Sequence, residues 1–334
     1  MIWQLYFTAL PNSTLTEEFR HIPVLLPECL DALALKSHTV FVDSTLGGAG
    51  HSLEVAKRLG PEGMLIGIDQ DDVALAAAQT RLESLPDETR PQLALLKGNF
   101  GNMDELLMSI PVPGIDAVLF DLGVSSVQID TPDRGFSFKE DCPLDMRMDG
   151  SGKLTTLTAA EIVNTYTAAD LTRIIRSYSD ERWASRIAQF IVAARQRQPI
   201  ETSGQLVEII KSAIPASARR AGGHPAKRTF QALRIEVNDE LGVLKRGLEA
   251  AVRWLNPGGR IAVITYHSLE DRIVKDLFAE YANRCTCPPD LPVCACGHAP
   301  LLKQISRKPI LPTKDEIERN PRSRSAKLRV AEKL

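Results

Sequence analysis

Carboxylates at three expected strand ends, one beside a glycine-rich turn, are the groups in this chain best placed to do chemistry. The densest stretch is Val40-Phe-Val-Asp-Ser-Thr-Leu-Gly-Gly-Ala-Gly-His51, completed by Ile66-Gly-Ile-Asp69. Glycines let the backbone approach a ligand closely, and the free N–H groups of a starting helix favour an anionic group. Asp69 lies 19 positions after Gly50, about the offset at which an acid reaches ribose hydroxyls. The plainer alternative is that the glycines only turn the chain and Asp69 only caps a helix. The third acid, Asp121, sits in Val118-Leu-Phe-Asp-Leu-Gly-Val-Ser-Ser-Val-Gln128, where open α/β sheets hold ligands. It is the candidate for touching both a cofactor and a reacting group.

What the turn lacks narrows the cofactor. G-x-G-x-x-G fails in both frames, because Gly47 leads to Ala49 and Ser52, and Gly48 leads to Gly50 and then Leu53. G-x-x-x-x-G-K-[ST] is absent, so dinucleotides and P-loop nucleotides are both disfavoured. A nucleoside cofactor without a pyrophosphate remains, and S-adenosylmethionine fits best. Lys97-Gly-Asn-Phe100 follows the third strand, where Phe100 either stacks on an adenine face or fills the core. Tyr266-His-Ser-Leu-Glu-Asp-Arg272 follows the last expected strand. There His267 is either a proton acceptor or a hydrogen-bonded support, and Ser268 is expected to cap a helix.

Apolar spacing supplies the elements that would position these groups. A short helix over 28–35 precedes strand 40–43, helix 52–59, strand 64–68, helix 71–84, strand 93–96, helix 102–109 and strand 116–120. Continuous apolar strands alternating with helices predict a mostly parallel sheet covered on both faces. After Asp121 the pattern changes. A loop rich in Gly, Pro and charge leads into helical periods over 159–166, 168–177, 181–196 and 203–213. One long helix over 229–255, the turn Pro257-Gly-Gly259 and strand 260–265 then resume the first pattern. The expected organisation is an N-terminal extension over 1–20, disordered or an over-called start, a catalytic domain from 21–125 and 225–334, and a helical insert over 126–224.

At 334 residues, with 44% apolar and 25% charged residues, the chain has ordinary globular composition. No stretch approaches the roughly 20 apolar residues of a membrane span, and six cysteines, four of them clustered, do not look like a disulfide framework, so a reducing cytoplasm is expected. The net charge of −2 hides an asymmetry. Residues 1–150 carry 10 Lys+Arg against 23 Asp+Glu, whereas 151–334 carry 30 against 19. A basic half beside a cofactor domain points to a phosphate-bearing substrate.

Taken in order, eight motifs add up to a resemblance. They are His21-x-Pro-Val-Leu-Leu, Asp43-x-Thr-x-Gly-Gly-x-Gly-His51-Ser, Asp121-Leu-Gly-Val-Ser-Ser, Arg134-Gly-Phe-Ser-Phe, Pro143-Leu-Asp-Met-Arg-Met, Thr229-Phe-Gln-Ala-Leu-Arg, His267-Ser-Leu-Glu-Asp-Arg and Asn320-Pro-Arg-Ser-Arg-Ser. Together, over about residues 20–334, they resemble the bacterial 16S ribosomal RNA cytosine-N4 methyltransferases, the MraW/RsmH family. The resemblance implies a class I S-adenosylmethionine-dependent methyltransferase, Rossmann-like, with an inserted all-helical domain that recognises the substrate. It implies that the enzyme methylates the N4 amine of a decoding-centre cytidine in 16S rRNA of the small ribosomal subunit. Carried over residue by residue, the cofactor site falls on Ala49, Gly50, His51, Asp69, Phe100, Asp121 and Gln128, with Asp121 also catalytic. The chain has no Pro-Pro-aromatic after Asp121, which leaves Asp121, Ser125 and backbone carbonyls all open as acceptors for the amine. Cys285, Cys287, Cys294 and Cys296 form two C-x-C pairs, and whether they hold a structural zinc stays open. A homodimer, a small-molecule methyltransferase and a non-catalytic ribosome-assembly factor remain open as well.

Overall fold

Strands β1 (Val40–Asp43), β2 (Met64–Asp69), β3 (Gln92–Lys97), β4 (Ile115–Asp121), β5 (Leu255–Thr265), β6 (Leu302–Gln304) and β7 (Lys327–Lys333) share one sheet. The computed structural model describes residues 22–125, 128, 131–138, 140–150, 152, 154–155, 157–219, 223–283, 287 and 299–334. Among these, strand order is β3-β2-β1-β4-β5-β7-β6, parallel from β3 through β5, with β7 antiparallel to both neighbours. This is the class I methyltransferase arrangement.

Alternation along each strand divides the core in two. Phe41, Leu65, Leu119 and Ile264 pack on the face covered by α1 (Leu26–Ala32), α2 (Gly50–Ala56) and α3 (Asp72–Glu83). Val42, Ile66, Phe120 and Val263 pack on the opposite face, under α4 (Met103–Met108) and two later helices. Because both faces are buried there, β1, β2, β4 and the second half of β5 read as continuous apolar runs.

The helical unit has a core of its own. It contains α5 (Ala159–Thr165), α6 (Ala168–Ser179), α7 (Ala184–Arg195) and α8 (Ser203–Ala213), with Thr158, Thr167 and Thr202 accepting N–H groups at three helix starts. Its buried cluster runs from Leu144 through Ile174, Ile187 and Ile210 to Phe230, Leu233 and Val237. In packing terms, then, the unit takes in α9 (Lys227–Asn238) as well.

Three expectations require correction. The single helix over 229–255 is two, α9 and α10 (Glu240–Trp254), broken at Asp239, whose φ of 47° is left-handed. Asp tolerates that region better than most residues, and its carboxylate occupies the space a Cβ on Gly242 would need. The helix α11 (Ser268–Ala282) is capped by His267 rather than Ser268: Nδ1 of His267 accepts the Glu270 N–H at 3.4 Å, and Glu270 bonds back to the His267 N–H at 3.1 Å. Finally, β6 and β7 have no counterpart among the elements expected from apolar spacing, because Lys303, Lys327, Arg329 and Lys333 interrupt it. Pro257 to Gly259 bulge within β5, where its register with β4 shifts between Ile115 and Ala117.

Candidate active site

The turn after β1 is built by its own side chains. Asp43, 2% exposed, accepts the Ser52 hydroxyl at 2.7 Å and the Thr45 N–H at 3.1 Å, and burial pushes its carboxyl up. Gly47 takes φ +50°, and its N–H donates to Asp69 at 2.8 Å. Ala49, also left-handed at φ 57°, precedes Gly50, the first residue of α2. A Cβ on Gly50 would lie 2.9 Å from the Pro23 ring, while one on Gly48 would meet nothing within 4 Å. The first turn is therefore closed on the Pro23 side and open at Gly48.

Asp69 does not cap a helix. Its two carboxylate oxygens accept the Gly47 and Asp71 N–H groups at 2.8 and 2.9 Å, and the cap of α3 is Asp71, which accepts the Val73 N–H. Burial is the main reason its carboxyl is pushed up to about 6. The Asp71 side chain also takes Arg134 at 2.7 Å, and Arg134 reaches the Met148 carbonyl, as does Gln128 at 3.1 Å. Asn238 of α9 closes the same loop by accepting the Met148 N–H and donating to the Met146 carbonyl. The motifs around Arg134 and Pro143 thus tie the helical unit to the strand end that carries Asp69.

Asp121 is held on three sides. Its N–H donates to Thr45 Oγ1 at 2.7 Å, its Oδ1 accepts the Tyr266 hydroxyl at 2.7 Å, and its Oδ2 faces His51 Nδ1 at 3.6 Å. His51 Nε2 lies 2.9 Å from the Val24 carbonyl, which can only accept, so that nitrogen carries the proton and Nδ1 presents a lone pair. Burial holds His51 below the ordinary imidazole range. Burial, then the Asp121 charge, pushes Tyr266 well above the usual phenol range, so it stays a donor. The buried Cys29 thiol is pushed up by the same two causes.

Ala49, His51, Asp69 and Asp121 therefore gather at one end of the sheet, with Gly50 between the first two and Gln128 bracing the loop beside them. Phe100 opens a short turn and meets Phe120 edge-to-face, with ring centroids 5.5 Å apart; its ring also fills the space above Gly247. Sequence reasoning missed Tyr266. Its one signal in the sequence is its position directly after a buried strand, beside the imidazole of His267. His267 belongs elsewhere, in a cluster with Glu240 and Glu270 whose ligand atoms lie within 4.8 Å of one another. Both Glu240 oxygens are engaged by Arg234, at 2.7 and 2.9 Å, and Glu270 accepts the Tyr266 and His267 N–H groups. Although burial opposes it, the His267 contact, the Tyr266 N–H and Arg234 hold Glu270 below the usual carboxylate range. Arg234 across Glu240 and the reciprocal His267–Glu270 cap make this cluster an ion-pair network. Of the four clustered cysteines only Cys287 lies within the described residues.

The residues present fit an adenosyl amino acid: an open glycine position, a helix start without an acid in its first turn, and a fixed carboxylate at the next strand end. A family model described as the MraW methylase family matches residues 18–334. A ribosomal RNA small subunit methyltransferase H from Symbiobacterium thermophilum is 57% identical over 316 residues, covering 95% of this chain and 97% of the relative. One from a Paenibacillus species is 55% identical over 322 residues, covering 95% of this chain and 100% of the relative. Among solved structures, an rRNA methylase from Streptococcus thermophilus aligns with a TM-score of 0.40 at 12% identity, covering 92% of this chain and 93% of its own.

Proposed function

The chain belongs to the MraW methylase family, and from that premise we propose that it methylates the N4 amine of a decoding-centre cytidine in small-subunit ribosomal RNA. S-adenosylmethionine is the methyl donor of this family, and when bound its sulfonium supplies an electrophilic methyl group. Ala49, Gly50 and His51 in the first turn, Asp69 at the ribose, Phe100 by the adenine, and Asp121 and Gln128 are the residues proposed to hold it.

The observation that carries the reading is the anchored Asp121. Cytosine's exocyclic nitrogen is a poor nucleophile because its lone pair is delocalised into the ring, so an acceptor must fix its N–H groups while the lone pair points at the methyl carbon. Asp121 Oδ2 supplies that acceptor, with Tyr266 holding the carboxylate and Thr45 holding the main-chain N–H of the same residue. As the nitrogen gains a methyl group it must lose one proton. Two acceptors, Asp121 Oδ2 and His51 Nδ1, lie 3.6 Å apart to receive it.

The helical unit, expected over 126–224, is the proposed grip on RNA. On α6, α7 and the turn between them, Arg176, Arg182 and Arg186 are exposed and pair with no carboxylate among the described residues; Arg186 lies over the Phe190 ring at 5.4 Å. The test is transfer of labelled methyl groups to small-subunit RNA, followed by mass-spectrometric mapping of the modified cytidine. Wild type should label one cytidine at N4, and Asp121→Ala should label none while still folding. Labelling at another base or atom would reject the cytidine reading, and equal labelling by Asp121→Ala would reject the site.

A further inference from the structure

The turn Asn320-Pro-Arg-Ser-Arg-Ser325 does two jobs, of which the arrangement around Asp121 explains only one. Asn320 donates to the Ile22 carbonyl at 3.0 Å, and Ser323, fully buried, donates to the Asn320 carbonyl at 2.8 Å. Just before them, Glu316 in α12 (Lys314–Arg319) accepts the Leu25 N–H at 2.8 Å. These bonds hold down the segment whose Val24 carbonyl fixes the His51 tautomer. Arg324 takes no part in this. It is exposed on the turn and pairs with no carboxylate among the described residues.

What Arg324 does line is a cleft of about 460 Å³, with Tyr266 and Ser268 on one side and Leu311, Ile317 and Lys327 among the rest. That volume is within the range of small-ligand sites. Tyr266, one of the lining residues, is also the side chain whose hydroxyl bonds Asp121. Leu311 is 58% exposed and gives the cleft an apolar wall open to solvent. Lys327 is already engaged by Asp271 at 3.1 Å, which leaves Arg324 as the guanidinium available to an incoming anion. A planar guanidinium matches the paired oxygens of a phosphate.

We propose that this cleft holds the nucleotide adjoining the target cytidine, with Arg324 on its phosphate and Leu311 and Ile317 against its base or ribose. The inference rests on the RNA reading above. A base drawn out of structured RNA leaves its neighbour unstacked, and an apolar wall with a cation at its rim suits that neighbour.

The test uses the full chain with Arg324→Ala, Arg324→Glu and Arg324→Lys. Binding of labelled small-subunit RNA is measured without turnover across a salt series, and methyl transfer is measured in parallel. Arg324→Ala should weaken RNA binding roughly tenfold and make the slope of log affinity against log salt shallower by about 0.7, the value for one lost single-strand phosphate contact. Arg324→Glu should weaken binding further, and Arg324→Lys should recover part of the loss. KM for RNA should rise more than kcat falls, and calorimetric affinity for S-adenosylhomocysteine should hold. Unchanged RNA affinity and slope in Arg324→Ala would overturn the proposal. So would a defect seen only with assembled subunits and not with naked RNA, which would give the cleft to a ribosomal protein. Wild-type protein that binds RNA but transfers no methyl group would instead defeat the functional reading, and the binding series would still decide the cleft.

Discussion

Replacing Tyr266 by Phe removes one O–H donor from Asp121 and leaves the ring in its place. A hydrogen bond to a charged group is worth about 1.5–3 kcal/mol, so single-turnover methyl transfer should slow roughly 10- to 100-fold. Cofactor affinity should hold; a change below about twofold in rate would remove the anchored carboxylate from the mechanism. Asp69 gives a pH prediction. With its carboxyl pushed up to about 6, chiefly by burial, the acceptors it offers a ribose should be lost as pH falls through that value. Calorimetry with S-adenosylhomocysteine should show affinity weakening there, and Asp69→Asn should flatten the profile. Stability of the ligand-free protein runs the other way. A raised acid opposes folding above its folded pKa, and that opposition fades as pH falls toward 3.8, which thermal melts can follow. Asp43, Asp69 and Asp121 were legible as strand-end acids because each closes an apolar run. The Tyr266 partnership was not, since it depends on which of two adjacent side chains turns toward β4.

At the level of elements, β1 to β5 could be read from sequence because strands buried on both faces carry little but apolar residues. The strand β7 could not, because Lys327, Arg329 and Lys333 give it the look of a solvated basic tail. Arg329 is nevertheless buried, and it survives there by donating to Asp271 of α11 at 2.6 Å, beside Lys327 at 3.1 Å. Although burial opposes it, these two cations hold the Asp271 carboxyl below the usual range. Asp271→Asn should strand the guanidinium and cost about 3 kcal/mol in urea unfolding at neutral pH. Because the folded pKa is depressed, the gap between wild type and variant should close as pH falls through it, below the ordinary 3.8. A similar limit concealed the break at Asp239. Apolar spacing runs straight through it, and only the tertiary pull of Asn238 on the Met146 to Met148 loop shows why the helix ends there.

For the whole molecule, the charge asymmetry makes the broadest prediction. Small-subunit RNA should lose roughly 100-fold or more in affinity between about 50 and 200 mM salt, as several phosphate contacts require. A filter-binding series that stayed flat would favour a small-molecule substrate. No described helix is long and apolar enough to cross a membrane. The placement of β7 between β5 and β6 also sets an order of events during synthesis. The helical unit closes its core within residues 144–237, whereas the hydrogen-bonding edge of β5 stays bare until residues 327–333 have left the ribosome. A bare strand edge invites pairing with other chains. The nascent protein should therefore depend on chaperones while residues 255–333 emerge, after the helical unit is already folded.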